Sequence, residues 1–296
     1  MEFWANLHLH SVFSDGVLTP EELAVTAKNE GYRAVALTDH DTVAGCEAMR
    51  LAAQNHGLEW MQGCEFTVEK PHGIHVTAYE FDAEQPRMKE YLEALSVDMT
   101  RRTREVFEMA RARGAVFGLD WDDVKKNNPG VSWFCHEHVR IAFEKTGVLP
   151  RKEYQSWFAA NFKEQRKLAP AKYPKLLLKD LVELIHSAGG IAVFAHPMYH
   201  LKYIDEILEA GIDGIEVWHP DQKQPEAEMS LRIAEKHGLY VSGGSDHSGL
   251  CGGSYGFYST EKELLRSGLY IPEHCCGTTE EHFRRMKERR RPEARI

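Results

Sequence analysis

Apolar residues cluster in seven short runs, at 3–9, 33–39, 59–67, 74–81, 190–196, 213–218 and 239–245. Each run reads as a strand, and amphipathic helical stretches separate most of them. The first helix is announced by Thr19 as a cap, Pro20 at the first helical position and Glu22 three residues after the cap. The 74–81 run follows the third strand after only a short turn at Pro71-His72-Gly73. Strand–helix alternation of this kind predicts a mainly parallel sheet closed as a barrel. Between about 83 and 170 the alternation stops. That segment predicts helices over 86–113, 135–146 and 151–166, followed by a Pro-containing hinge, LAPAKYPKLL, at 168–177. The expected architecture is α/β: one barrel domain from 1–82 and 171–296, interrupted by a helical subdomain at 83–170.

Composition narrows this picture slightly. Hydrophobic residues make up 43% of the 296, enough for a sizeable core. No apolar run reaches about eighteen residues, so no transmembrane helix is expected. MEFWANLHLH has no basic region followed by an apolar stretch, so no signal peptide is expected. The six cysteines form no CxxC pair, and a reducing, cytoplasmic setting fits them best. The formal net charge of -9 argues against long nucleic acid as a partner. The basic tail RRMKERRRPEARI reads as a solvated helix end that frays. Nothing in the sequence sets the oligomeric state.

The sixteen histidines change the picture more. In NLHLHSVFSDG, strand alternation puts His8 and His10 on one face, with Leu7 and Leu9 on the other and in a core. Asp15 follows in the loop. The second strand ends in Asp39, His40 and Asp41, the third carries Glu65, and the fourth carries His75 near its start. The fifth ends in His196 and the seventh in Ser245, Asp246 and His247. In a strand–helix barrel, active sites gather at the strand ends, so these residues would converge on one mouth. Carboxylates and imidazoles packed together need cations to neutralise them. Mixed nitrogen and oxygen ligands suit Zn²⁺, Mn²⁺ or Fe²⁺. About eight candidate ligands imply two or three ions, bridged by a carboxylate such as Glu65. Asp39 and Asp41 read as groups that orient the neighbouring histidines.

HxHSxxSDG, LTDHDT, GxE, an IH strand, AHP and GSDH, in this order, resemble the PHP (polymerase and histidinol phosphatase) family. The helical insertion after strand four resembles its branch of small-molecule phosphoesterases, related to the 3',5'-nucleotide bisphosphate phosphatase. The resemblance implies a distorted (β/α)7 barrel. It also implies a first metal held by His8, His10, Glu65 and Asp246, and a second held by Glu65, His75 and His196. A third site would begin with Asp15 and His40. In the family this third site is completed by a histidine two residues after the aspartate of the last motif. Here that position is Ser248, and His247 would have to serve instead.

The insertion is expected to act as a lid. WFCHEHVRIAF matches the branch's phosphate-contacting segment, so the resemblance implies that His136, His138, Arg140 and Lys172 bind substrate phosphate. The implied activity is hydrolysis of a phosphate ester of a small nucleotide or sugar phosphate by a metal-bound hydroxide, with His196, Asp246 and His247 at the reacting centre. A cyclic phosphodiester such as phosphoribosyl 1,2-cyclic phosphate is one such substrate. A 3',5'-nucleoside bisphosphate and the 5' end of a short oligonucleotide are others. The competing classes are an amidohydrolase-like C–N hydrolase, a non-catalytic interaction module and a metal sensor. The first lacks an obvious bridging lysine on a barrel strand. The second predicts eroded ligands, and the third has no need of a lid.

Overall fold

The computed structural model describes residues 2–71, 73–246 and 276–289. Seven strands form one sheet in sequence order: β1 (Ala5–Asn6), β2 (Ala34–Leu37), β3 (Glu59–Thr67), β4 (His75–Tyr79), β5 (Ile191–Phe194), β6 (Gly214–Trp218) and β7 (Tyr240–Gly243). Every strand falls within its predicted run. Most pairs are parallel, but β4 is antiparallel to both β3 and β5, with Glu65 opposite Thr77 and Thr67 opposite His75. The short connection between Thr67 and His75 is the reason. It is too short to carry a crossover, so the chain makes a hairpin and β4 runs back. The start of β4, not its end, therefore reaches the mouth, and His75 arrives there with the C-terminal ends of the other strands. The sheet is nearly closed. Leu7 N–H donates to Gly243 O (3.2 Å) and Asp246 N–H to His8 O (3.0 Å), joining the first strand to the last.

Alternation along the strands sorts the interior. Ala34 and Ala36, Met61, Tyr79, Ile191 and Val193, and Tyr240 share one buried cluster with Ala5 and Leu7. Their neighbours Val35 and Leu37 pack outward against the helices α1 (Pro20–Asn29) and α2 (Cys46–His56). Two positions beyond the interior Gly63, the same alternation turns Glu65 inward. The N-terminus departs from expectation here. β1 ends at Asn6, so His8 and His10 lie beyond the strand. Leu7 joins the interior cluster while Leu9 packs with Leu23 and Met49 on the helical side. The Asn6 side chain closes the irregular stretch, donating to Ser245 Oγ (2.9 Å) and accepting from Ser245 N–H (3.1 Å).

Between β4 and β5 the chain forms α3 (Pro86–Ala112), α4 (Trp121–Asn127), α5 (His136–Thr146) and α6 (Arg151–Phe158). The expected helix over 151–166 stays α-helical only to Phe158, then passes through a π turn (Ala159–Lys163) and a 3-10 turn (Glu164–Leu168). This segment has its own core, including Phe107, Trp121, Phe134, Phe143, Tyr154 and Phe162. Helices α7 (Leu178–Ser187), α8 (Ile204–Glu209) and α9 (Gln224–His237) complete the barrel surround.

The basic tail differs from its expectation. Residues Glu280–Lys287 form α10, which buries Phe283 and Met286 in the interior cluster. Arg284 forms two 2.7 Å bonds to Glu59 and stacks over Trp4, 4.6 Å from the ring centroid. An amphipathic face, not net charge, decides the fate of this segment. Residues 290–296 lie outside the described residues. No helix among the described residues is long and apolar enough to cross a membrane. Cys46, Cys64 and Cys135 are free and buried, and Cys276 is buried.

Candidate active site

The hub of the mouth is Glu65, a carboxylate with no solvent exposure. Its Oε1 lies 2.9 Å from His196 Nε2, 3.0 Å from His75 Nδ1 and 3.5 Å from His8 Nε2. Its Oε2 lies 3.0 Å from His40 Nδ1 and 3.2 Å from His10 Nε2. Asp246 Oδ1 approaches His10 Nε2 at 3.2 Å and His8 Nε2 at 3.5 Å. Asp15 stands 3.6 Å from His10 and 3.7 Å from His40. The ligand atoms fall into three overlapping groups: His8, His10, Glu65 and Asp246; His10, Asp15 and His40; and His40, Glu65 and His75.

These contacts are close but poorly satisfied. His8 Nε2, both ring nitrogens of His10, Asp15 Oδ1, His40 Nδ1, Glu65 Oε2 and His196 Nδ1 are buried without a hydrogen-bond partner. Buried polar atoms in such number need a common partner, and divalent cations supply one. Imidazoles and carboxylates are the donor set that Zn²⁺, Mn²⁺ and Fe²⁺ accept, so the residues fit a metal centre. The charges of the cluster show the same demand. Burial alone would depress His10, but Asp246, Glu65 and Asp15 outweigh it and push the imidazole up to about 10. Burial, reinforced by Asp246, Glu137 and Glu65 against the pull of His10, raises Asp15 to about 7. Burial would raise Glu65 too, but the surrounding His40, His75 and His8 hold it well below its ordinary value. The backbone is also strained. His196, Asp246 and Asp41 all have positive φ (31°, 44° and 51°), a region non-glycine residues seldom occupy. Gly244 permits the close approach: a Cβ there would lie 2.3 Å from His8 N.

A family model described as the PHP domain matches residues 6–241. The chain belongs to the PHP domain family. It is 31% identical over 256 residues to a 5'-3' exoribonuclease of Haemophilus influenzae, covering 83% of this chain and 90% of the relative. It is 26% identical to the phosphoribosyl 1,2-cyclic phosphate 1,2-diphosphodiesterase of Eggerthella lenta (83% and 95% covered). It is 29% identical to the 3',5'-nucleoside bisphosphate phosphatase of Chromobacterium violaceum (81% and 86% covered). A solved structure from Bifidobacterium adolescentis, assigned as a metal-dependent phosphoesterase, superposes with a TM-score of 0.73 at 25% identity, covering 98% of this chain and 97% of that one. This PHP protein is a metal-dependent phosphoesterase, a hydrolase of phosphate esters.

Beside the metal cluster opens a pocket of about 430 Å³, lined by Asp15, His40 and His75 on the barrel side. From the insertion and hinge it is lined by Arg102, Trp133, His136, Arg166 and Lys175. Of the expected phosphate contacts, the structure brings His136 to this pocket. His138 is fully buried with both ring nitrogens bonded to backbone. Arg140 is buried in ion pairs with Glu137 and Glu144, both at 2.6 Å. Lys172 is exposed in a separate groove beside Glu90 and Asp98, and the lysine at the pocket is Lys175. Helical phase explains these placements: α5 turns its arginine toward its own acidic residues rather than the mouth. His247 and Ser248 lie outside the described residues.

Sequence reasoning missed Glu216 and His219, at the end of the one strand it left unexamined. Glu216 Oε1 accepts from His8 Nδ1–H (3.0 Å), and its Oε2 accepts from His196 N–H (2.7 Å). This leaves His8 Nε2 facing the cluster. His219 Nε2–H donates to Asp246 Oδ2 at 3.0 Å. The EVWHP motif carried the signal: Glu216, and His219 three residues later, interrupt an otherwise apolar run at its mouth end. Asp39 orients not a histidine but the loop, accepting from Ser11 and Ser14 at 2.6–2.7 Å. Asp41 instead pairs with Lys175 at 2.8 Å.

Proposed function

We propose that this PHP protein removes phosphate from a small ester that carries a second anionic group. A nucleoside 3',5'-bisphosphate, or the 5'-phosphorylated end of a short oligonucleotide, has this form. The observation that carries the reading is the cationic wall of the pocket beside the metal cluster. Arg102, Arg166 and Lys175 all line it, and among the described residues neither arginine pairs with a carboxylate. The proximity of the two guanidiniums and desolvation, which is the larger effect, hold Arg166 below its ordinary value. Two guanidiniums lining one pocket favour an anion between them. Trp133 is buried with an unpartnered Nε1 at the same wall, a donor for the ligand's sugar or base.

In this reading His8, His10, Glu65 and Asp246 hold one divalent ion, and Glu65, His75 and His196 a second. Asp15 and His40 begin a third site, with Mn²⁺, Fe²⁺ or Zn²⁺ as the ions. Bound there, the ions supply the positive charge that draws phosphoryl oxygens and acidifies a water. The chain's own residues do the rest. Glu216 and His219 hold His8 and Asp246 in orientation. The arginine wall fixes the remote anion, and the insertion over residues 83–170 serves as a lid that keeps bulk water from the mouth.

The test is phosphate release followed by ³¹P NMR with Mn²⁺-loaded protein. The substrates are a nucleoside 3',5'-bisphosphate, the matching 3'-monophosphate and a five-membered cyclic ribose phosphate. One charge-assisted contact of about 1.5–3 kcal/mol predicts a kcat/KM roughly 10- to 100-fold higher for the bisphosphate than for the monophosphate. Arg166→Ala should erase that advantage through KM. Equal turnover of the two, or turnover of the cyclic ester alone, would overturn the reading.

A further inference from the structure

The start of α5 sits against the loop that carries Asp15. His138 makes both connections there. Its Nδ1 accepts from Cys135 N–H at 2.9 Å, capping its own helix. Its Nε2–H donates to Val12 O at 3.0 Å, across 126 residues of sequence. Cys135 Sγ adds a contact to Ser14 O at 3.4 Å. The ring is fully buried, so neither bond can be exchanged for water. From the barrel side, Asp39 grips the same loop through Ser11 N–H, Ser11 Oγ and Ser14 Oγ. The segment 10–16 is thus clamped between Asp39 and His138, and Asp15 projects from it toward His10 and His40. Gly16 fits because a Cβ there would lie 2.3 Å from His10 O.

We propose that His138 is a positioning residue that ties docking of the helical insertion to cation occupancy of the His10–Asp15–His40 group. It touches no substrate. It fixes the backbone from which Asp15 reaches the ion. Because one loop serves both the ligand group and the insertion, the coupling is reciprocal: a cation at the group tightens the insertion's contact, and the docked insertion raises cation affinity there. The inference rests on the reading that these three residues ligate a cation.

Two substitutions separate the tether from the fold. In His138→Asn the amide oxygen takes the place of Nδ1, which keeps the cap on Cys135 N–H and drops the bond to Val12. In His138→Gln the amide nitrogen reaches the place of Nε2 and keeps the bond to Val12. Mn²⁺ is titrated into the full chain by calorimetry, with bound ions counted by mass spectrometry, and amide exchange is followed over 10–16 and 135–146 with and without Mn²⁺. The expected result is that Mn²⁺ slows exchange over both segments in the unsubstituted chain. His138→Asn should weaken one class of ion by roughly 10- to 100-fold, the range for residues that orient ligands. The remaining ions should hold within about twofold, and His138→Gln should restore the weakened one. Unchanged affinity in His138→Asn, uniform weakening of every ion, or no effect of Mn²⁺ on exchange at 135–146 would overturn the proposal. Unsubstituted protein that binds no Mn²⁺ at all would instead overturn the ligand reading beneath it.

Discussion

Replacing Glu65 by Gln tests the metal centre at its most connected point. The change keeps the side chain's shape, removes one negative charge and turns one acceptor oxygen into a donor. Five imidazole nitrogens lie within 3.5 Å of the two carboxylate oxygens. Glu65 belongs to two of the ligand groups, so the substitution strikes more than one ion at once. Removing one partner of a buried charge pair costs about 3–5 kcal/mol. For a residue with no solvent exposure this whole range applies, and it corresponds to a roughly 10²- to 10⁴-fold loss of affinity. The assay is Mn²⁺ titration of chelator-stripped protein, with bound metal counted after desalting and far-ultraviolet circular dichroism confirming the fold. Wild-type protein should retain two or three ions, and Glu65→Gln should lose at least the bridged pair. Hydrolysis should fall with them. Retention of the full metal complement within threefold of wild-type affinity would refute the assignment of Glu65 as the bridge.

Other consequences follow from the packing and charge. Phe283 is fully buried at the closed end of the barrel, 4.9 Å from the Trp4 ring. Phe283→Ala should cost about 3–5 kcal/mol in urea unfolding, while Mn²⁺ affinity of the folded protein stays unchanged. His138 carries a pH dependence. Burial, only partly offset by its bond to Val12 and by nearby Glu137, pushes its imidazole down to about 4 from an ordinary value near 6.5. Between those values the folded state holds fewer protons than the unfolded one. The associated stability is therefore complete above about pH 6.5 and lost as pH falls toward 4. Gln does not titrate, so His138→Gln should lose about 2 kcal/mol less than wild type between pH 7.5 and 5. Equal losses would place the pH dependence elsewhere.

The strands were legible because each is a short apolar run with a polar residue at its mouth end, as in LTDHDT and IAVFAHP. The reversal of β4 was legible in principle from its short connection to β3, yet strand–helix alternation elsewhere argued for parallel neighbours. The ligand cluster was legible because strand ends meet whatever the loops between them do. The phosphate-facing side was not. Whether Arg140 or Arg102 faces the mouth depends on the phase and tilt of α5 and α3 against the barrel, which local periodicity does not fix. Lys172 and Lys175 are only three residues apart, but the chain bends at Lys172 and Tyr173 and the two lysines line different pockets. Glu216 escaped notice because a buried carboxylate inside GIEVW looks like an interruption of a core strand until its partner, His8, is known.

The joining of the chain's two ends has a consequence for how the protein is made. Ala5 pairs with Thr278, Trp4 packs on Phe283 and Arg284, and the first strand is tied to Gly243 and Asp246. These contacts span some of the largest sequence separations in the molecule, and such contacts form late. A nascent chain can fold α1 and α2 onto β2, and the insertion onto its own core, while still on the ribosome. It cannot bring Asp246 to His8 and His10, or seat Phe283 beneath Tyr79 and Met61, until the last of these residues has left the exit tunnel. The hydrolytic centre thus assembles only after Asp246 has been made, and a shorter nascent chain lacks one of its ligands.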